Sequence, residues 1–354
     1  SQTFASGAGG YERLRMGSES GWRSQQLVVG QGGGMFIADP SASVTLTSGV
    51  FRVEQGGLFR DDTGGTSHVG FSSTSSNASA TISGNGSTWL TPNAVSVGAS
   101  GSQNQLLVEF GGKLLADSAT IGGSSGNNNR LTLNGLGASC FATNGLTVAG
   151  SQNQFLIQTG GVFLGSQIIA SGSSALVSLA GTGAVANCST QLVLSGSQSR
   201  LQVSSGANLF TSNGVLLNAF SGSTADISGE GSLWKLTGGL TISAPFFLSA
   251  TNRVIVSSKA SIVSPSLSLS SSTFGRAALA VQSGQLFVTN ASGTANMTVN
   301  GPLDLNRGLL RADKVTASSA SLSVINIRAG NAEWVACDLS AGIPLRIGDG
   351  TNLA

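Results

Sequence analysis

Charge is scarce in this chain. Asp, Glu, Lys and Arg make up 9% of its 354 residues, where an ordinary soluble domain has about 25%. Seventeen basic residues stand against fifteen acidic ones, a net charge of +2, which leaves no electrostatic footprint for nucleic acid or an anionic membrane. There is a single histidine, and the three cysteines, Cys140, Cys188 and Cys337, form no C-x-x-C pair; a zinc site is disfavoured. Aromatic residues are 6%, so the expected core is built from small aliphatic side chains rather than aromatic anchors. No run of about 18 apolar residues exists to span a bilayer as a helix. The opening SQTFASGAGG has neither an initiator Met nor a charged-then-apolar leader, and it reads as a mature or excised segment.

What the chain does have is glycine, 51 of them, with abundant Ser, Thr and Asn and a 40% hydrophobic fraction. That is too apolar for a disordered chain, and so little charge suits a secreted surface protein better than a cytosolic one. It also has a repeat. ISGNGSTWL (Ile82–Leu90) returns as ISGEGSLWK (Ile227–Lys235) after 145 residues, six periods of roughly 24; SQNQ (Ser102–Gln105) returns at Ser151–Gln154 after 49, two such periods.

Each unit contains three short apolar runs. One unit reads LLVEF (Leu106–Phe110), KLLAD (Lys113–Asp117) and ATIGG (Ala119–Gly123); the next reads LTLN (Leu131–Asn134), CFAT (Cys140–Thr143) and LTVAG (Leu146–Gly150). Most runs alternate apolar with small polar residues, the period of a half-buried strand. Gly, Ser and Asn separate them, residues that accept turn dihedrals. Three strands and three turns in about 24 residues fit one coil of a parallel β-helix. The expected fold is therefore all-β, a parallel β-solenoid, right-handed by the general rule for parallel crossovers. Val108, Leu133, Ile157, Leu179 and Val203 should stack as one inward column.

The repeat divides the chain into residues 1–26, an arm or cap carrying Glu12, Arg13, Arg15, Glu19 and Arg23; residues 27–328, the β-helix of about 12 coils; and residues 329–354, a cap or truncated continuation. From Leu131 to Ser199 there is no Asp, Glu, Lys or Arg. Such a stretch is either a solvated hydroxyl-covered surface or a face that packs on a neighbour, since charge is what keeps β-surfaces apart.

Catalysis by a β-helix would need carboxylates stacked in neighbouring coils. The nearest approach is RDDTGGTSHVG (Arg60–Gly70), with Asp61, Asp62 and His68, but six residues place His68 around the next corner from the aspartates. A polar turn is the expectation there, and no catalytic, cofactor or metal residue is assigned anywhere. GDGTN (Gly348–Asn352) lacks the spacing of a calcium loop. Asn77, Asn85, Asn187, Asn290 and Asn296 match N-x-[ST], as chance allows in such a composition. Trp89 and Trp234 share a phase of the repeat and should each fill a wider part of the core or cover a corner; a sugar-stacking surface would need neighbouring aromatics, and none recur in adjacent coils. Asn104 and Asn153 share a turn phase where an Asn side chain bonds neighbouring backbone. Outward threonines (Thr132, Thr147, Thr241) stand singly, against the ranks that a crystal-binding face needs. Cys140 and Cys188 lie two coils apart, about 9–10 Å along the axis. A disulfide requires Cα atoms within about 7 Å, so buried free thiols are expected.

The string GSTWLTPNAVSVGASGSQNQLLVEFGGKLLADSATIGG resembles the Gly-Ser-Asn-rich repeats of bacterial autotransporter-type passengers and related surface β-helix proteins. Their form is G-S-x-W, then L-x-V-G, then N-x-L-x-V-x-x-G-G-x-L. The resemblance is clear over Ser67–Leu240 and looser elsewhere. It implies a secreted right-handed β-helix at a bacterial cell surface, an adhesin, stalk or layer component. Its partners would be itself, surface glycans or another cell. The terminal IPLRIGDGTNLA is not the membrane barrel of that family, so the barrel is removed or export runs another way. The alternative reading is a phage tailspike-like or polysaccharide-cleaving β-helix.

Overall fold

The computed structural model describes residues 44–46, 50–62, 65–123, 125–216, 221–244, 250–318, 322–340 and 342–348, together with the backbone strands Gln2–Phe4, Tyr11–Arg13, Gln26–Val29 and Gly34–Ile37. Every regular element among them is a strand. One coil shows the plan: Gln105–Glu109 on a first face, Lys113–Ala116 on a second, Ser118–Ile121 on a third. Each pairs in parallel with its equivalent in the next coil, Leu106 with Leu131, Leu114 with Cys140, Ala119 with Leu146. The result is a parallel β-solenoid of about 12 turns with a spacing of about 24 residues. Individual coils depart from that mean: Leu131 to Phe155 is 24 residues, Phe51 to Ala80 is 29 and Ile325 to Leu345 is 20.

The local reasons are those of the alternation. In Arg130–Asn134, Leu131 and Leu133 are buried while Arg130 and Thr132 face out. The first corner is turned by glycines in the left-handed region. Gly111 (φ +86°) is one, and a Cβ there would come within 3.0 Å of the Asn85 backbone in the coil before.

The chain forms two compact units. The first comprises residues 1–168, 172–178 and 183–187; the second comprises residues 169–171, 179–182 and 188–354. In the first unit, Val53, Ile82, Val108, Leu133 and Ile157 stack in register as an inward column. Beside it run Phe59, Trp89, Leu114, Cys140 and Phe163, then Val69, Val97, Ile121 and Val148. Each large aliphatic or aromatic member contributes about 1.5–3 kcal/mol by leaving water. The second unit has three columns of its own: Val203, Ile227, Val256, Val281 and Leu305; Leu209, Trp234, Ile262, Leu286 and Leu310; and Leu240, Leu267, Met297 and Val315. Of the five residues expected to share a column, Val108, Leu133 and Ile157 stack directly in the first unit. Leu179 and Val203 are fully buried in the second.

One expectation is corrected here. The first unit has an aromatic anchor after all: Phe51, Phe59 and Trp89 meet edge to face with ring centroids 4.9–5.4 Å apart, and Phe155 meets Phe163 at 5.3 Å. Few aromatics do not mean dispersed ones.

A polar ladder lines the third corner of the first unit. Asn104, Asn129 and Asn153 are fully buried in successive coils. The Asn104 amide nitrogens, main chain and side chain, donate to Asn129 Oδ1 at 2.9 and 3.1 Å. Those of Asn129 donate to Asn153 Oδ1 at 2.7 and 3.1 Å. The remaining side-chain N–H groups go to corner carbonyls, Ser75 O from Asn104 and Gly101 O from Asn129. The corners close over these amides: a Cβ at Gly98 would sit 2.0 Å from Asn129 Cγ. Asn129, inside GNNNR, is the rung that the SQNQ spacing does not reveal.

Residues 1–26 include Gln2–Phe4 and Tyr11–Arg13, which pair in parallel with residues 27–29 and 34–36. At the other end Val324–Leu339 pairs along the whole of Pro302–Ala317, and Leu345–Ile347 adds a first-face strand.

Candidate functional surfaces

The Asp61, Asp62 and His68 group is taken apart by the fold. Asp61 ends the second-face strand Leu58–Asp61, points inward and is fully buried, accepting the Ser67 hydroxyl proton. Asp62 stays at the surface in a 2.6 Å ion pair with Arg60, whose pKa is held above its ordinary value by that carboxylate. His68 lies on the third face between Thr45 and Ser96, its ring 4.5 Å from that of Phe71. Desolvation lowers its pKa, and its Nδ1 has no hydrogen-bond partner among the described residues. One carboxyl faces in, one is paired outside, and the imidazole is on another face.

Among the described residues no three His, Cys, Asp or Glu side chains gather as a metal site would require. Of GDGTN only Gly348 lies within the described residues. Asn77, Asn85 and Asn187 are exposed, whereas Asn290 and Asn296 are half-buried. Asn290 Oδ1 accepts the Thr294 N–H at 2.9 Å, and Asn296 Nδ2 donates to Thr298 at 3.0 Å.

The first unit carries an outward apolar column that the sequence hides. On its second face Leu90, Leu115, Phe141 and Leu164 stack in four successive coils. Phe141 is exposed and the three leucines are half-buried. On the adjoining corner Phe110 is 60% exposed and Leu136 87%. Scattered surface leucines need no explanation, but a row of large apolar side chains, bounded by Arg60 at the Leu90 end and drawn from a charge-free stretch at the other, is what interaction faces look like.

The third face of the second unit is built differently. Thr241, Ser268, Thr298 and Thr316 form one outward column, flanked by Ser243, Ser270 and Asn300. Their polar groups are tied together: Ser268 with Ser270 at 3.3 Å, Thr298 with Thr316 at 3.4 Å, and Ser318 Oγ donating to Asn300 Oδ1 at 3.2 Å. A shallow depression of about 90 Å³ lies along it, lined by Thr298, Thr316, Ser318, Asp338 and Ser340. The expectation of isolated outward threonines is corrected twice, since Thr298 stacks on Thr316 here and Thr120 stacks on Thr147 in the first unit. Coils of 18 to 30 residues let threonines at irregular sequence spacing fall into line.

Trp89 and Trp234 are core residues, Trp89 1% exposed and Trp234 fully buried. The cysteines are free, Cys140 and Cys188 buried and Cys337 exposed. Burial pushes the Cys140 and Cys188 thiols up to about 12, so both are inert at neutral pH.

No family model matches the chain, and no curated protein matches it. Among solved structures it is similar to a TibC-catalysed, hyper-glycosylated fragment of TibA spanning residues 55 to 350. Identity is 15% and the TM-score 0.41, over 96% of this chain and 97% of that one. At that distance nothing transfers from one to the other.

Proposed function

We propose that the chain is a non-catalytic structural protein of the extracellular space, a bacterial surface, fibre or layer component that associates with itself. The observation that supports this reading best is the outward column Leu90, Leu115, Phe141 and Leu164 with Phe110 and Leu136 beside it. Burying such a row against a second copy releases apolar surface at about 25 cal/mol per Å². The Leu131–Ser199 stretch, from which Phe141 and Leu164 come, puts no like charge in the way. The hydroxyl and amide face of the second unit supports a second role, contact with an uncharged glycan on a neighbouring surface, because it offers a row of donors and acceptors with a single carboxylate, Asp338, at its edge.

The test is size against sequence. Light scattering and negative-stain microscopy of the chain should give assemblies. Phe141→Lys with Leu136→Lys should shift them to smaller species while leaving the circular dichroism spectrum in place. A wild-type chain that stays monomeric at high concentration overturns the self-association reading. Glycan-array binding lost on Thr298→Ala with Thr316→Ala, and unaffected by the lysine pair, would assign the adhesive role to the second unit.

A further inference from the structure

Five Asn-Gly pairs occur in the chain, Asn85–Gly86, Asn134–Gly135, Asn144–Gly145, Asn213–Gly214 and Asn300–Gly301. Asn-Gly is the dipeptide most prone to intramolecular cyclisation, because the following residue has no side chain to obstruct attack. Whether a given pair reacts depends on the main-chain N–H of the glycine and the freedom of the Asn side chain. A hydrogen bond on either holds the reacting atoms apart.

Four of the pairs are held. Asn300 Oδ1 accepts both the Ser318 N–H and the Ser318 hydroxyl proton, each at 3.2 Å. The Gly135 N–H donates to Thr159 O at 2.9 Å, and the Gly145 N–H to Ala142 O at 2.8 Å. Asn144 is further pinned, its Nδ2 donating to both oxygens of Asp117 at 2.8 and 3.0 Å. Asn213 lies within the strand Asn208–Leu216, and its Oδ1 accepts the Gly239 N–H at 3.1 Å.

Asn85 is different. It stands exposed at the first corner between Gly84 (φ +92°) and Gly86 (φ +84°). Among the described residues the Gly86 N–H donates to no group and the Asn85 side chain makes no hydrogen bond. Two flanking glycines also give this corner the backbone freedom that cyclisation needs.

We propose that Asn85 is a site of spontaneous modification, converting through a succinimide to aspartyl and isoaspartyl residues in the folded protein. The Gly86 main-chain nitrogen, losing its proton to solvent, attacks Asn85 Cγ. The N–Cγ bond forms, the Cγ–Nδ2 bond breaks, and ammonia leaves. Water then opens the ring at either carbonyl, giving a normal aspartyl link or a β-linked one with an extra backbone methylene. Water is the only co-reactant, and the step is independent of what the protein binds.

The corner tolerates the first product. At the same place in the second unit, Gly229–Glu230–Gly231 already carries a carboxylate. The β-linked product is harder to fit, because the Asn85 main chain closely approaches Gly111 in the next coil. The modification therefore adds a negative charge next to Phe110, on the rim of the apolar face, as the protein ages.

The test is peptide mapping of the full-length, unglycosylated chain aged in mildly alkaline buffer, folded and in denaturing urea. Asn85 in the folded chain should gain about 1 Da and become a substrate for enzymatic isoaspartyl methylation. Asn134, Asn144, Asn213 and Asn300 should react several-fold more slowly, and urea should bring all five to similar rates. Asn85→Gln should remove the fast site and leave the others unchanged. Equal rates at Asn85 and Asn144 in the folded chain, or a fast site elsewhere, overturn the proposal. So does native material in which a glycan caps the Asn85 amide.

Discussion

Two coils, one in each unit, carry nearly the same string, ISGNGSTWL from Ile82 and ISGEGSLWK from Ile227, and their wiring agrees only in part. In both, a buried serine hydroxyl accepts the N–H of a glycine in the preceding coil, Ser87 from Gly56 and Ser232 from Gly206, each at 3.0 Å. In both, the tryptophan takes the first inward position of the second face. There the likeness ends. The Trp234 indole N–H donates to Thr211 Oγ1 at 3.1 Å. The Trp89 N–H has no hydrogen-bond partner among the described residues, and its ring is wedged against Phe51 and Phe59. Phe59 pairs with Trp89 and Leu209 with Trp234, so the place of Thr211 falls to Asp61 in the first unit, and Asp61 is engaged with Ser67. The repeat string dictates where the tryptophan goes; the coil before it dictates what the indole bonds to.

The sharpest contrast between the units is expected in their third corners. Asn129→Ala removes a rung bonded on both sides and strands several buried amide groups, at about 1–3 kcal/mol each, so a loss of about 4 kcal/mol is expected in urea unfolding. In the second unit Ser223, whose hydroxyl donates to Gly196 O at 3.1 Å, should cost only about 1 kcal/mol as Ser223→Ala. Equal losses would break the comparison. Because coils stack in series, both should be read by probes local to each unit.

Alkali should weaken the units alike, through one buried thiol each. The folded-state pKa of Cys140 and of Cys188 is raised from 9.0 to about 12 by burial, so the unfolded chain loses its thiol protons first. Stability is whole below pH 9 and falls between pH 9 and 12, by about 1.4 kcal/mol per pH unit for each thiol. Cys140→Ala and Cys188→Ala should each flatten the slope, and a slope unchanged by either would refute the assignment. Under native conditions a thiol reagent should find Cys337 alone, and all three in denaturant.

Thr211→Val tests the indole contrast directly. It leaves the Trp234 N–H buried without an acceptor, costing about 1–3 kcal/mol, with a change in tryptophan emission. The reverse change at the first unit has little to remove: Trp89→Phe gives up an already unbonded N–H and should cost less than Trp234→Phe. The smallest effect belongs to the corner residues themselves. Glu230 and Lys259 pair at 2.9 Å with both side chains more than 70% exposed, and Glu230→Gln should change stability by about 0.5 kcal/mol or less.

The period was legible because small residues that must turn corners recur where the corners are; SQNQ and the Gly-Ser-x-Trp string mark a phase that the registers reproduce. The inward columns followed from alternation alone. What alternation could not reveal was the outward apolar column. In KLLAD, Leu114 and Leu115 are adjacent and chemically identical, yet one is fully buried and the other faces solvent. A run of two leucines carries no sign of which points in. Asp61 escaped for the same reason: the segment reads as a polar turn, and only the parity of the Leu58–Asp61 strand turns Asp61 into the core. The hydroxyl column of the second unit was missed because coils of unequal length align residues that no fixed period connects.

The coil from Phe51 to Ala80 is five residues longer than the coil from Leu131 to Phe155, and most of the surplus is in one place. The third corner of the longer coil runs from Gly70 to Ala78, against Ala149–Asn153 in the shorter. Its hydroxyls satisfy one another, Ser72 with Thr74 at 3.0 Å and with Ser75 at 2.9 Å, while the strands on either side keep their partners. The stack is thus a frame with interchangeable inserts. Lengthening that corner leaves the columns in step, so a lineage, or an engineer, can graft new peptide there and display it without redesigning anything beneath.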